Sequence, residues 1–323
     1  MNRPLSDTLA RRHTRGRVSP LARREDWTGR ALVSPTVLLI VLVVLLPFVT
    51  SVVYAFQEFQ LIDIGPLGDG KTEWTLDNFR IVLTSSGFQS ALWTTIVYSI
   101  GCTLGTVISG MVMSLALRRR FPGRGLIRGL VLIPYILPLV AAVTIWKQLL
   151  NSQYGFVNAI GERFLGWDEP ISFLTTTSMD VWGLPIPVAL TVVILFDVWK
   201  SGPLAYLFFT ARLQATQGDI EEAALIDGAT PLQSFRHVLL PQMYGVIAIM
   251  IILRFIWSFQ SFNDIYLLSG GAGGTEVLAV SVYNELTTRG NVGGASALGL
   301  VMMVILTALT LLYLQRTRKE VAE

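Results

Sequence analysis

The stretch GDIEEAALIDGATPLQSFRHVLLPQM, Gly218 to Met243, is the most informative connection in the sequence, and apolar segments flank it on both sides. Its first half predicts a short helix from Asp219 to Ile226, since acidic residues lie near the N-terminus and Gly228 follows the end. Its second half predicts another helix, with Thr230 as N-cap and Pro231 at the first helical position, running to Leu240 before Pro241. The connection therefore predicts two short helices and a sharp turn beside a membrane.

Two adjacent alanines, Ala223 and Ala224, lie within the first of these helices. Their small side chains beside the carboxylates would let the helix sit close against a groove on another protein, while the turn at Gly228 would hold the two helices at a fixed angle. The same pattern also fits a solvated surface hairpin made of ordinary helix formers. From the residues alone, both interpretations stay open.

Composition and apolar segments together predict an all-α integral membrane protein. The chain has 323 residues, of which 52% are hydrophobic and 15% charged, whereas soluble domains contain about 25% charged residues. A spanning helix needs roughly 20 mainly apolar residues. Six transmembrane helices are predicted, at Ala31 to Phe56, Ala91 to Leu117, Leu126 to Leu150, Ile186 to Phe209, Met243 to Phe262 and Ala295 to Leu314.

The first of these segments follows an arginine-rich region, as the apolar core of a secretory signal would. It is too long for such a core, and no small-residue cleavage site follows it, so we expect a retained helix. The single cysteine, Cys102, excludes an internal disulfide framework, and two histidines leave no His/Cys metal cluster.

The distribution of lysine and arginine predicts the orientation, because basic residues near helix ends resist translocation. Basic residues are concentrated in residues 1–30, after the second segment and in the tail, which are therefore predicted to be cytoplasmic. The connections predicted to lie outside are 57–90, 151–185 and 263–294. The sequence thus divides into a basic segment at 1–30, a transmembrane domain at 31–314 with a cytoplasmic loop at 215–243, and a tail at 315–323.

The N-terminal run RRHTRGR, residues 11–17, gives the chain part of its net charge of +3. Its position beside an apolar segment is typical of an orientation signal that also contacts anionic lipid headgroups. It lacks the interleaved aromatic residues of nucleic-acid-binding segments. We therefore expect a lipid membrane and no nucleic acid as its partner.

The connection Gly218 to Met243 resembles the EAA loop of ABC importer permeases, E-A-A-x-x-x-G followed after nine residues by I-x-L-P. The matching residues are Glu222, Ala223, Ala224, Gly228, Leu240 and Pro241, with Val238 in place of the isoleucine. In that family the loop is a coupling helix that docks into a cleft of a cytoplasmic ATPase. The resemblance implies that these residues and Asp227 contact a separate ATPase, which holds ATP and Mg, and that this chain binds no cofactor and is not itself an enzyme.

Four further segments resemble the carbohydrate-uptake permeases of the maltose type. They are LIPYILPLVAAVTIWKQLLNSQYGFVNAI (Leu132 to Ile160), TLDNF (Thr75 to Phe79), VWKSGPL (Val198 to Leu204) and SFNDIYLLSGG (Ser261 to Gly271). The last is closer to the first member of the usual permease pair, whereas Thr216, Gln217 and Ala272 depart from the family's usual residues. The resemblance implies an ATP-driven importer of a sugar, oligosaccharide or related polyol, in which this chain joins a second permease, two copies of the ATPase and an extracytoplasmic substrate-binding protein.

Polar and aromatic residues around the fourth segment and the end of the fifth are candidates for the substrate pathway, since a sugar needs hydrogen-bonding groups and aromatic faces. The candidates are Asp197, Trp199, Phe262, Asn263, Asp264 and Tyr266. An ionisable residue within a membrane span is, by default, a candidate for a functional site. A structural alternative also stands, in which Asp197 pairs with Lys200 on the same helix face, while Trp199 and Tyr266 anchor helix ends at the interface.

Arg254, within the fifth segment, also needs a partner or water, which the sequence does not name. Pro134 and Pro138 are tolerated in a spanning helix that lines a cavity or packs against neighbours. A kink at these prolines would either support rocking between inward-open and outward-open states or serve helix packing alone.

A cation-coupled secondary transporter is the competing function, with Asp197 or Asp264 carrying a proton or sodium ion. The EAA-like connection argues against it.

Three fragments also resemble ATPase motifs, namely GPLGDGKT at 65–72, VVILFD at 192–197 and LSGG at 268–271. The first and third are predicted to lie outside, the second lies in an apolar segment, and their order along the chain is not that of an ABC ATPase, so they do not predict ATP binding.

Overall fold

The computed structural model describes residues 20–64, 73–181, 183–215, 223–224 and 226–322, with side chains described between residues 30 and 317. The chain divides into two compact units, Met1–Val53 and Tyr54–Glu323. The first unit contains helix α1 (Pro20–Ile40), one turn of π-helix (Val41–Leu45) and most of helix α2 (Leu46–Ala55). Together they form a candidate span from Arg30 to Ala55.

The helices of the second unit follow from long apolar segments joined by shorter polar ones. The elements are α3 (Asp77–Thr84), α4 (Ser86–Ala116), α5 (Arg124–Ile136), α6 (Leu139–Leu149), α7 (Phe156–Phe164), α8 (Val188–Ala215), α9 (Pro231–Ser234), α10 (Leu240–Phe259), α11 (Asn263–Ser269), α12 (Leu278–Thr287) and α13 (Val292–Ala322). The other regular elements among the described residues are a 3₁₀ turn (Leu61–Ile64), one turn of π-helix (Phe235–Leu239) and an antiparallel hairpin of β1 (Met179–Val181) and β2 (Leu184–Ile186). The fold is mainly helical, and the hairpin is a small correction to the all-α prediction.

Five helices in the described residues are long and apolar enough to cross a membrane. Besides Arg30–Ala55 they are Ser86–Ala116, Val188–Ala215, Pro231–Phe259 and Val292–Thr317. These correspond to the first, second, fourth, fifth and sixth predicted segments, with ends that differ by up to about a dozen residues. The number of candidate spans rises to six if the bent pair α5 and α6 counts as one.

The third predicted span, Leu126 to Leu150, is not one straight helix. Helices α5 and α6 meet at an angle of 100° at Leu137 and Pro138. Leu137 takes an extended conformation, φ −60° and ψ 136°, because the ring of a following proline disfavours the helical region for the residue before it. Pro134, four residues earlier, lies within α5 without ending it.

The helix that starts at Pro231 does not end before Pro241, contrary to the sequence prediction. One turn of π-helix, Phe235–Leu239, joins α9 to α10, and the Leu240 amide donates to the Phe235 carbonyl five residues back. The wider turn accommodates Pro241, which lacks an N–H and would break a regular helix. The π turn before Pro47 has the same form, with the Leu46 amide donating to the Val41 carbonyl.

Helices α4 and α8 approach each other closely because α4 presents glycines to α8. A Cβ added at Gly105 would lie 2.4 Å from a methyl carbon of Val198, and one added at Gly110 would lie 2.4 Å from the Cβ of Ala205. Small residues let helix backbones approach closely where lipid provides no hydrophobic driving force. This pair positions the buried face of α8 that carries the candidate site.

The core of the second unit consists of three apolar clusters. The largest joins α4, α6, α8 and α11 around Tyr98, Phe196 and Ile265, which are fully buried. The second joins α4, α8 and α10 around Phe209 and Met250. The third brings α4, α10, α12 and α13 together. The candidate site adjoins the first cluster.

Two ATPase-like fragments lie in elements that do not suit a nucleotide site. VVILFD is part of α8 rather than a strand, and LSGG covers the end of α11 and the following turn. GPLGDGKT, residues 65–72, lies outside the described residues.

Candidate functional site

A buried ion pair joins two helices of the second unit. Arg254 on α10 donates through Nη2 to a carboxylate oxygen of Asp197 on α8, and the two residues are 5% and 4% exposed. Arg254 also donates to the Ser258 hydroxyl at 3.3 Å. The predicted pairing of Asp197 with Lys200 is therefore wrong, because α8 turns Asp197 toward α10 and Lys200 toward α11.

A second ion pair connects α8 to the short helix α11. Lys200 Nζ lies 2.7 Å from Asp264 Oδ1, with side chains that are 25% and 11% exposed. Asp264 belongs to the first turn of α11, where the helix dipole favours a negative charge. Asp197 and Asp264, both predicted from the sequence, are thus brought to neighbouring positions, each with a cationic partner on another helix.

Aromatic rings pack beside these charges. The rings of Trp146 and Phe196 meet edge to face at 5.5 Å between centroids, and Trp199 lies 5.7 Å from Trp146. Trp199 is half-buried and packs against the apolar cluster around Phe196. The structure thus places Trp199 on the α6-facing side of the site.

A second aromatic group combines two predicted residues with one that the sequence did not indicate. Phe262 and Tyr266 stack at 4.9 Å with an interplanar angle of 18°, and Tyr283 of α12 lies 4.8 Å from Tyr266. All three are half-buried, whereas Asn263 between them is exposed. The group therefore presents partly accessible aromatic faces next to the Lys200 and Asp264 pair.

Several site residues had no signal in the sequence that sets them apart from ordinary apolar helix positions. Tyr98 is fully buried and its hydroxyl lies 3.4 Å from that of Ser261. Cys102 is fully buried in the same apolar cluster as Tyr98 and Phe196. Tyr283 comes from an element that the sequence analysis treated as an outer connection. A hydrophobic residue with one polar atom does not disturb hydropathy, so only its three-dimensional neighbours reveal it.

The described part of the EAA-like connection has a helical end and a tight turn. The Asp227 amide donates to the Ala223 carbonyl at 2.9 Å, and the Ala229 amide to the Ala224 carbonyl at 3.0 Å. Gly228 has φ +79° and lies in open space, a backbone conformation that favours glycine. Glu222 lies outside the described residues.

The second half of this connection begins with a capping box. The Thr230 hydroxyl accepts from the Gln233 amide, while the Gln233 side chain accepts from the Thr230 amide, and Pro231 follows the cap. Both features confirm the predicted helix start. Leu240 and Pro241 form the first turn of α10, so the EAA-like pattern ends inside the candidate span Pro231–Phe259.

Comparison with known proteins gives a consistent result. Residues 105–316 match the family described as "Binding-protein-dependent transport system inner membrane component". The chain is 32% identical over 294 residues to the inner membrane ABC transporter permease protein YcjO of Escherichia coli K12, covering 90% of this chain and 92% of that protein. It is 30% identical over 304 residues to the trehalose/maltose transport system permease protein MalF of Thermococcus litoralis, covering 92% and 96%.

The fold also matches a solved structure. A chain in the crystal structure of a bacterial alginate ABC transporter, in complex with an alginate pentasaccharide-bound periplasmic protein, aligns with a TM-score of 0.76 over 92% of this chain and 96% of that one. Sequence identity there is 18%, so this likeness shows the fold. With the family match spanning most of the second unit, the chain belongs to the family of inner membrane components of binding-protein-dependent transport systems.

Proposed function

We propose that this chain is the permease subunit of an ATP-driven importer for a sugar, an oligosaccharide or a related polyol. The observation that carries the proposal is the similarity to the trehalose/maltose permease over 92% of the chain. The fold shared with the alginate transporter supports it further. Both proteins are named for carbohydrates, and these differ in size and charge. The substrate class proposed for this chain is therefore broader than any one sugar.

The substrate pathway is proposed to pass the aromatic group Phe262, Tyr266 and Tyr283. Aromatic faces that are half accessible can stack on a sugar ring, and the adjacent Lys200 and Asp264 side chains can exchange their mutual hydrogen bond for bonds to hydroxyl groups. Asn263, exposed beside them, adds an amide that donates and accepts. The more deeply buried Asp197 and Arg254 pair would hold α8 and α10 together behind this surface.

The EAA-like connection is proposed to transmit movement from the ATPase. Its small residues Ala223 and Ala224 and the turn at Gly228 form a compact surface, and the second helix runs without a break into α10. A push on the connection would therefore move α10 and, through Arg254, the buried face of α8. Glu222, Asp227, Leu240 and Pro241 belong to the same proposed coupling segment, which with both chain termini faces the cytoplasm.

The proposed assembly contains a second homologous permease, two copies of a cytoplasmic ATPase that binds ATP and Mg, and an extracytoplasmic substrate-binding protein. The alginate transporter was crystallised with such a periplasmic protein, and this supports the last partner. The comparisons give no support to a cation-coupled transporter. In the structure Asp197 and Asp264 each have a cationic side chain as partner, which a free cation would have to displace.

Reconstitution tests the proposal. The assembly in proteoliposomes should hydrolyse ATP several times faster when its binding protein carries a sugar than when the binding protein is empty. Candidate sugars from trehalose and maltose to longer oligosaccharides would be compared in turn. ATP hydrolysis that no sugar stimulates, in an assembly shown to be intact, would contradict it.

The aromatic surface has its own test. Tyr266→Ala removes the stacking face, which is worth about 1 kcal/mol beyond its buried area, so sugar uptake should fall about fivefold. Tyr244→Ala serves as the control. Tyr244 is 58% exposed and lies near the N-terminus of α10, whereas the aromatic group follows the C-terminus of that helix. Equal uptake by both variants would remove the aromatic group from the pathway.

A further inference from the structure

The ion pair between Lys200 and Asp264 is the more accessible of the two ion pairs at the candidate site. The Lys200 and Asp264 side chains are 25% and 11% exposed, whereas those of Arg254 and Asp197 are 6% and 5% exposed. Lys200 lies near the middle of the span Val188–Ala215. Charged groups at such depth face a bundle interior or a water-filled cavity, so the open side of this pair belongs to a polar surface of the assembly.

The four charges of the site form two separate pairs. Lys200 Nζ lies 2.7 Å from Asp264 Oδ1. Asp197, the other carboxylate near Lys200 on α8, is held by Arg254. Two cations and two carboxylates sum to zero, so these groups together present no net charge.

The pair keeps hydrogen-bonding capacity for hydroxyl groups while its charges are matched. An ammonium group has three donors and a carboxylate accepts through both oxygens, and the contact between Lys200 and Asp264 uses one donor and one oxygen. A sugar hydroxyl both donates and accepts, so a neutral sugar can bond to both side chains without separating them. The stacked rings of Phe262 and Tyr266, which flank Asp264 in the sequence, lie beside these polar groups.

A sugar acid meets a different balance at the same surface. Its carboxylate only accepts hydrogen bonds, so it competes with Asp264 for the Lys200 ammonium. The Asp264 carboxylate also repels it, because like charges brought together oppose binding. A repulsive contact of this kind discriminates between ligands that are otherwise alike.

We propose that the Lys200–Asp264 pair makes the pathway selective for uncharged sugars over sugar acids. Asp264 is the specificity-determining group, because it occupies the Lys200 ammonium and repels a second carboxylate. The inference rests on the proposed function, since it takes the pathway past the aromatic group Phe262, Tyr266 and Tyr283. It narrows the proposed substrate class from carbohydrates in general to neutral ones.

The test measures how sugars protect a cysteine beside the pair, in the assembled transporter in detergent. Asn263→Cys places this reporter next to Asp264 at an exposed position, and Cys102→Ser removes the one native cysteine of the chain. The rate of maleimide labelling of this chain is measured with increasing glucose or glucuronate, which share a ring and differ by a carboxylate. Sodium chloride keeps the ionic strength of both series equal, because salt screens charge effects.

Variants of the reporter chain change the charge of the pair. Asp264→Asn leaves a positive charge, Lys200→Gln leaves a negative charge, and the double variant is neutral like the parent. Asp180→Asn is the matched control, because it makes the same chemical change at an exposed carboxylate of β1, on a different connection.

We expect the glucuronate preference to follow the charge of the pair. In the parent, glucose should protect at a lower concentration than glucuronate. Asp264→Asn should lower the glucuronate concentration for half-protection about tenfold relative to glucose, as one new charged hydrogen bond at a partly exposed site implies, and Lys200→Gln should raise it. The double variant should return toward the parent, and Asp180→Asn should match it.

Two results would overturn the inference. Protection by glucose with the same glucuronate-to-glucose ratio in all variants would remove the selectivity and leave the pathway in place, as would a loss of protection by both sugars together in the Lys200 and Asp264 variants, which a pair that only holds α8 to α11 would give. Protection by neither sugar in the parent would also remove the pathway from this surface. Sugar-stimulated ATP hydrolysis by the same assembly then shows whether the proposed transport function itself holds.

Folding of the variants is checked separately. Thermal unfolding without sugar identifies a variant that has lost its fold. If Asp264→Asn unfolds the chain, the comparison of Lys200→Gln with the neutral double variant decides, because the same charge dependence must appear between those two.

Discussion

Arg254 is a charged residue within an apolar helix, and its ion-pair partner is Asp197 on α8. We therefore expect the loss of Asp197 to destabilise the chain strongly. Asp197→Asn leaves the Arg254 guanidinium buried beside a weaker acceptor. Breaking a buried pair from one side costs about 3–5 kcal/mol, and we expect a loss toward the lower end, since asparagine still accepts one bond. Thermal or denaturant unfolding of the purified chain would measure it.

Arg289 and Glu285 provide the matched control, because they form an ion pair at 2.7 Å in which Arg289 is 73% exposed. Arg289→Gln should change stability by less than about 1 kcal/mol, as exposed pairs do. If Asp197→Asn were no more destabilising than Arg289→Gln, the buried pair would not hold α8 to α10.

The sequence analysis singled out Asp197, Arg254 and Asp264 within or beside the spans, and the local pairing of Asp197 with Lys200 that it offered as one alternative is wrong. The nearest opposite charge along a helix is three residues away, whereas the actual partners are 57 and 64 residues apart. Which face of α8 meets α10 depends on packing such as the Gly105 contact. Long-range pairing of this kind follows from the tertiary arrangement, which hydropathy and local spacing do not encode.

At the scale of elements, the turn at Gly228 should be more important for coupling than for folding. Its φ of +79° disfavours side chains with a Cβ, at a cost of about 1–2 kcal/mol. Gly228→Val should therefore distort the EAA-like connection and abolish sugar-stimulated ATP hydrolysis, while the chain still inserts into the membrane. Membrane fractionation and the ATPase assay with loaded binding protein would measure the two effects.

Gly123→Val is the control for backbone strain, because Gly123 has φ +83° and also lies in open space, on a different connection. It should retain most of the stimulated hydrolysis. Equal activity of the two variants would show that the Gly228 turn does not transmit the signal.

The sequence predicted most of the helices, but it predicted the bends and π turns within them only in part. Long apolar segments and the Thr230 and Pro231 signals gave the spans and the α9 start. Three prolines with similar sequence surroundings nevertheless behave differently: Pro134 stays within a helix, Pro138 marks a 100° bend, and Pro241 follows a π turn. Each proline leaves the carbonyl four residues earlier without its helical hydrogen-bond donor. The packing of neighbouring helices determines which of these outcomes follows, and one sequence does not specify that packing.

At the scale of the whole molecule, the number of membrane crossings depends on the bent pair α5 and α6. Six crossings would put the α4–α5 connection and the α7–α8 connection on opposite sides. Single cysteines at the exposed positions Arg120 and Glu169 test this, with Cys102 replaced by serine, since it is the only native cysteine. In intact cells an impermeant maleimide should label Glu169→Cys and leave Arg120→Cys unlabelled until the membrane is opened.

Labelling of both positions from one side would mean that α5 and α6 enter and leave the membrane on the same side. The chain would then have five crossings, and its two termini would lie on opposite sides. The basic N-terminal segment and tail argue for the six-crossing arrangement.

The source of energy is the property of the whole molecule that defines its class. The most direct test is sugar accumulation in proteoliposomes that contain the complete assembly and loaded binding protein, with proton and sodium gradients collapsed by ionophores. The account predicts accumulation that requires hydrolysable ATP and is unaffected by the ionophores. Accumulation that needs an ion gradient and persists without ATP or the ATPase subunits would contradict it.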